Sequence, residues 1–172
     1  MGDYRCTVAW DSMRPGELQA VGTEDEPILF TKEASAPGWK GIIFETSPRV
    51  SALVHCKVKN ANDSGIQIEN CFPILDNCHI GLNTSDSNGG GMKITLDAAF
   101  GDLVLTDCTI SDNKSTSHGG GIYAIVSTAS LTFKDCQINS NSTRKDNDKR
   151  SCCGGGVYVK AHRVVCLFTG GL

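Results

Sequence analysis

The chain has 172 residues, which suits one domain of ordinary size rather than two. Its 16 Lys and Arg against 19 Asp and Glu leave a net charge of −3, so it carries no basic field to hold nucleic acid or an anionic membrane surface. At 40% hydrophobic and 20% charged it has neither a disordered nor a membrane-embedded composition, and apolar runs such as 164–168 reach five residues, against the ~18 that a spanning helix needs.

In chain order, residues 1–40 read as an irregular lead-in with first partial coils. All five prolines (Pro15, Pro27, Pro37, Pro48 and Pro73) fall in the first 73 residues, whereas the glycine triplets come later. No charged segment followed by a long apolar stretch comes after Met1, so no secretion signal is read there. The regular body begins near Gly41 and runs through 41–172.

That body is an internal repeat. Five segments place apolar residues at the first and third positions after a glycine: Gly41-Ile-Ile-Phe44, Gly65-Ile-Gln-Ile68, Gly91-Met-Lys-Ile94, Gly121-Ile-Tyr-Ala124 and Gly156-Val-Tyr-Val159. Alternation with a period of two marks a strand with one buried face, so strands are expected to begin at these five glycines. A second phrase alternates with the first: Leu53-Val-His-Cys-Lys-Val58, Leu75-Asp-Asn-Cys-His-Ile80, Leu105-Thr-Asp-Cys-Thr-Ile110 and Phe133-Lys-Asp-Cys-Gln-Ile138. The three-residue step from apolar residue to Cys breaks the period of two, so the two residues between them form a bend, and two inward strands share each repeat.

Successive glycine starts are 24, 26, 30 and 35 residues apart, and the stretch from Cys to the next glycine grows most, from 9 to 20. A stacked coil tolerates this, because a longer surface loop costs little closure entropy. Stacking aligns Cys56, Cys78, Cys108 and Cys136 in one inward column. Asn83, Asn113 and Asn141 follow Cys by five residues in three of the four copies, with Ala61 in the first. An Asn column at a bend satisfies backbone groups that the turn would orphan. No stretch sustains a 3.6-residue period, so the fold class is all-β: a single-stranded parallel coil whose full turn replaces the crossover helix.

The Asp-Cys-x-Ile-x-x-Asn phrase, alternating with Gly-Gly-Gly-[Ile/Val]-Tyr, resembles the repeats of right-handed parallel β-helices, the scaffold of pectate-lyase-like proteins and of many bacterial surface proteins. The stretch 119–124 is also similar to repeats of polymorphic outer-membrane proteins. Upstream, Gly22-Thr23, Pro27-Ile-Leu-Phe-Thr31 and Gly38-Trp-Lys-Gly-Ile42 look like the coils that precede such repeats. The resemblance spans roughly residues 16–160 and implies fold rather than activity. The later phrase Arg163-Val-Val-Cys-Leu-Phe168 departs from the pattern, which reads as an altered last coil in a segment of a longer β-helix.

Nine cysteines contain no Cys-x-x-Cys pair, so no zinc cluster is read, and no other metal or cofactor is assigned. Cys78, Cys108 and Cys136 are expected to pack as reduced, unreactive core thiols. Cys152-Cys153 is a vicinal pair in the longest loop. His118-Gly-Gly-Gly121 imitates an oxyanion-hole phrase, but the same glycines recur without His after Asn88 and Cys153, and no nucleophile elbow accompanies it. The paired-Asp, Gly-His-Gly and Arg-x-Lys signatures of polysaccharide-cleaving β-helices are missing, so no catalytic residue is assigned.

The candidate ligand-binding residues are Asp76, Asp107 and Asp135, at the bends, and Asn83, Asn113 and Asn141, in the Asn column. The loops 83–90, 113–120 and 141–155 leave the coil on one side and stack into an edge rich in Ser, Thr, Asn and Asp. Such an edge suits a chain-like polysaccharide, which offers many modest hydrogen bonds. The sequence therefore reads as a non-catalytic extracellular or cell-surface β-helix segment that contacts carbohydrate. A fragment of a polysaccharide lyase or glycoside hydrolase is the alternative.

Overall fold

A computed structural model describes residues 4–11, 14–33, 38–47, 50–97, 101–144, 154–161 and 166–169. Among these, strands are the only regular structure, and they gather into four ladders that wind as one coil, parallel throughout except where Arg14–Pro15 pairs antiparallel with Tyr4–Asp11. The coil beginning after Gly91 shows the plan. Met92–Leu96 enters a seven-stranded sheet and Asp102–Thr106 a six-stranded one. Thr109–Ser111 then enters a five-stranded sheet and Lys114–Ser115 a three-stranded one. One coil later Ile122–Val126 returns to the first sheet, with Met92 opposite Ile122 and Ile94 opposite Ala124.

The two inward strands expected per repeat are thus four short ones in the coils that begin at Ile66, Met92 and Ile122, and three in the coil that begins at Trp39, because the chain turns two tight corners in each. At the first corner His55, Asn77, Asp107 and Asp135 take φ of 47°, 50°, 49° and 53°. At the second, Asn60, Leu82, Asp112 and Ser140 take 58°, 59°, 58° and 52°. Asn and Asp tolerate this left-handed region best, which accounts for most of the residues found at both corners.

Four of the five glycine-led strands start directly after the glycine, at Ile66, Met92, Ile122 and Val157. The first, Trp39–Glu45, starts two residues before Gly41. Gly41 lies inside it at φ +79°, where the pairing with Tyr4–Asp11 slips between Tyr4 and Cys6. A bulge needs a left-handed residue there, and a Cβ at this position would collide with the Ser64 and Gly65 carbonyls.

The alternating residues fill the interior as expected. Ile42, Phe44, Ile66, Ile68, Met92, Ile94, Ile122 and Ala124 are buried, and so are Leu53, Leu75, Leu105 and Phe133 from the facing sheet. Val157 and Val159 pack half-buried against this core. Each fully buried large aliphatic or aromatic side chain contributes about 1.5–3 kcal/mol relative to exposure, so a continuous column of them is the main cohesive term.

Both flanks join the stack. Tyr4–Asp11 runs parallel to Trp39–Glu45, Gln19–Val21 pairs with Ala52–Val54, and Ile28–Phe30 pairs with Cys56–Lys59. At the other end Cys166–Thr169 pairs in parallel with Ser130–Lys134, with Phe168 opposite Phe133 and their rings stacked at 4.8 Å. The phrase ending at Phe168 therefore keeps the register of the coil before it, contrary to the sequence reading. Phe168 stands twelve residues after Gly156 just as Phe133 stands twelve after Gly121, and it was the missing Cys that masked this spacing.

Candidate functional site

The Asn column is a hydrogen-bonded ladder. Asn113 Oδ1 accepts from the Asn83 main-chain N–H and from Asn83 Nδ2, each at 3.0 Å. Asn141 Oδ1 accepts the same pair of bonds from Asn113, and Asn83 Oδ1 accepts from the Ala61 N–H at 3.0 Å. The remaining amide donors reach back one coil, from Asn83 to Val58 O at 3.0 Å, from Asn113 to Ile80 O at 2.9 Å and from Asn141 to Ile110 O at 2.8 Å. Asn83 and Asn113 are buried. Of the six residues offered as ligand contacts, these three amides have their polar atoms engaged inside the scaffold.

The three aspartates do not form one row. Asp107 and Asp135 occupy the first corner, stacked above Asn77 and His55, and both are exposed. Asp76 is one position earlier, the last residue of Ile74–Asp76, where its ladder partners are Val54 and Thr106; Asn77 Nδ2 donates to its Oδ1 at 3.1 Å. Among the described residues no three His, Cys, Asp or Glu side chains converge as a metal set.

The cysteine column is inward, and each thiol lies against two main-chain carbonyls. Cys78 Sγ is 3.2 Å from Leu53 O and 3.3 Å from Asp76 O; Cys108 Sγ is 3.2 Å from Thr106 O and 3.5 Å from Leu75 O. A thiol is small enough for the corner and supplies a weak donor to the carbonyls that the turn leaves facing inward. Cys56, Cys78, Cys108 and Cys136 are all free thiols. Burial pushes the Cys56 thiol up to about 12. Cys136 is less enclosed than the other three: it is half-buried, and its hydrogen bond with the Cys108 thiol lowers it to about 7.

The glycine-rich phrase after His118 has no free oxyanion hole. Gly120 N–H donates to Gly154 O at 3.2 Å, Gly121 N–H to Gly155 O and Gly156 O at 3.0 Å, and Ile122 N–H to Gly156 O at 2.8 Å. These donors join coil to coil. The His118 ring is held by Ser117 Oγ at 2.7 Å and Asn88 Oδ1 at 3.2 Å, and it lies 4.8 Å from the ring of Tyr158. Tyr158 stacks in turn on Tyr123 at 5.4 Å with the planes 5° apart. This aromatic group was missed from sequence. Its signal lay in the second residue after each glycine, where Ile43, Gln67, Lys93, Tyr123 and Tyr158 share one outward column.

The polar edge contains a groove of about 370 Å³ on the three-stranded sheet. Thr84, Lys114 and Ser142 are in register along it and exposed, and Ser85 and Ser115 follow behind them, buried. Asp86, Thr116 and Arg144 complete the wall. The Ser115 hydroxyl donates to His118 O at 3.3 Å. Of the loops expected to build this edge, residues 145–153, with Cys152-Cys153, lie outside the described residues.

A family model described as a right-handed beta helix region matches residues 35–170. No match was found to a curated protein or to a solved structure.

Proposed function

Since this chain belongs to the family of right-handed β-helix regions, we propose that it is a non-catalytic extracellular or cell-surface segment whose three-stranded edge contacts carbohydrate chains. The observation that carries the reading is the groove lined by Thr84, Ser85, Asp86, Lys114, Ser115, Thr116, Ser142 and Arg144. Hydroxyl groups recur there, joined by one ammonium, one guanidinium and one carboxylate, at the spacing of stacked strands, about 4.8 Å, which is close to the length of one pyranose unit. Many equivalent hydrogen bonds along an open groove suit a polymer better than a small ligand, which needs enclosure. The stacked Tyr123, Tyr158 and His118 rings offer a further apolar surface, of the kind that packs against sugar C–H faces.

The test is retention on a panel of immobilised polysaccharides, using the chain and a Lys114→Ala/Ser142→Ala double variant. Both positions are exposed, so the fold should be unaffected. Binding to at least one glycan is expected to weaken about tenfold in the variant with the melting temperature unchanged, a loss equal to one or two net hydrogen bonds. Absence of binding across the panel, or equal retention of both proteins, overturns the reading. Release of shortened products from a bound glycan replaces it with the polysaccharide lyase or glycoside hydrolase alternative.

A further inference from the structure

Cys108 and Cys136 stand directly before Thr109–Ser111 and Gln137–Asn139, which pair in parallel with Thr109 opposite Gln137. Their Cα atoms are therefore one strand spacing apart, about 4.8 Å, inside the roughly 4.4–6.8 Å range that a disulfide spans. Both side chains point inward from equivalent corners: Cys108 Sγ lies 3.2 Å from Thr106 O, and Cys136 Sγ holds the matching place 3.4 Å from Lys134 O. They differ in access. Cys108 is buried at 1% exposure, whereas Cys136 is half-buried.

The thiol–thiol hydrogen bond also divides their acidity: with Cys136 as its first partner, Cys78 as its second, and burial, the Cys108 thiol is raised far above its ordinary range. Accepting that bond brings Cys136 to about 7, with burial and the Asp107 carboxylate working in the opposite direction. The less buried of the two residues is thus also the more acidic, and it stacks against a thiol that holds its proton.

We propose that Cys136 and Cys108 form a peroxide-oxidisable pair, with Cys136 as the attacking thiolate and Cys108 as the resolving thiol. The Cys136 sulfur attacks one oxygen of hydrogen peroxide, the O–O bond breaks, and the departing hydroxide takes up a proton and leaves as water. The Cys108 sulfur then attacks the sulfenic acid so formed. An S–S bond forms, the S–O bond breaks, and the sulfenic oxygen leaves as a second water carrying the Cys108 proton. Two thiols lose two electrons, and one peroxide is reduced to two waters. The product pins two adjacent coils at one corner.

The experiment treats the folded chain with stoichiometric hydrogen peroxide, blocks remaining thiols with an alkylating reagent, and maps unreduced peptides by mass spectrometry. Cys136 is expected to lose its label first, and to appear in a Cys108–Cys136 linked peptide that reductant reverses. In a Cys108→Ser variant, Cys136 is expected to stop at a sulfenic acid that a dione reagent traps. Full alkylation of Cys136 after peroxide, or its linkage to any cysteine other than Cys108, overturns the proposal. The mapping on the unaltered chain decides the matter even if the variant fails to fold.

Discussion

Asn83 and Asn113 are joined through one oxygen: Asn113 Oδ1 accepts both the main-chain N–H and the side-chain amide of Asn83, each at 3.0 Å. One side chain thereby satisfies two donors of the preceding coil, while its own amide serves Ile80 O and Asn141 Oδ1. Among the described residues no buried side-chain nitrogen or oxygen lacks a partner, and the ladder is a large part of the reason.

Asn113→Ala is accordingly expected to destabilise the chain by about 2–4 kcal/mol, since it orphans the Asn83 N–H and the Ile80 carbonyl in the interior. Asn113→Asp should cost more. It keeps the shape but places an ionised group beside the Ile80 and Asn141 oxygens that the amide had bonded. Urea unfolding of the two variants against the parent measures both effects, and a smaller loss for Asp than for Ala would contradict this account.

Leu82 is the one aliphatic residue in the left-handed column at the second corner, at φ +59° and 53% exposed. Its counterparts are Asn60, Asp112 and Ser140, which bear such a backbone at lower cost. Leu82→Asn is expected to stabilise the chain by about 1 kcal/mol, because little burial is lost and strain is relieved. Thermal melting should show a rise of a few degrees. A fall would mean that Leu82 makes apolar contacts worth more than its strain.

His79 lies below its ordinary value because burial disfavours the charged ring, with Lys59 and Lys57 adding repulsion and Asp112 opposing them. Its Nε2 is 3.2 Å from Ser111 Oγ. With the folded value depressed, the unfolded chain takes up the proton first as pH falls through about 6.5, so this group favours unfolding in mild acid. Its stabilising effect is complete above that pH and is lost progressively below it. Denaturant midpoints compared between neutral and mildly acidic pH should fall less for His79→Gln than for the parent. Equal slopes would remove His79 from the acid response.

Most of the coil was legible because each repeat writes it twice, in Gly-x-apolar alternation and in the fixed phase of Cys. Ile66, Ile68, Met92 and Ile94 occupy the interior for the reason that their spacing gave, and the bend residues His55, Asn77, Asp107 and Asp135 turn where the period of two broke. The second corner was not read, because Asn60, Leu82, Asp112 and Ser140 share a backbone conformation rather than a side chain. Asp76 matches Asp107 and Asp135 in residue type but stands two residues before its Cys instead of one, so it ends a strand and Asn77 makes the turn. The groove was legible only as a polar edge. Its depth depends on how Lys114 and Arg144 stand above buried Ser115, which no spacing encodes.

The hydrogen bonds that join one coil to the next, such as Met92 to Gly121 and Ile122 to Gly156, run along the long axis of the stack, while the covalent chain runs across it. Tension applied between the two chain ends therefore falls on these bonds rather than on the backbone. Because the chain leaves each coil from a single edge, the load reaches the ladders of an interface one after another and peels them. The molecule should yield mechanically as a series of coil-sized releases, each lengthening the chain by one repeat, while resisting compression through its continuous aliphatic filling.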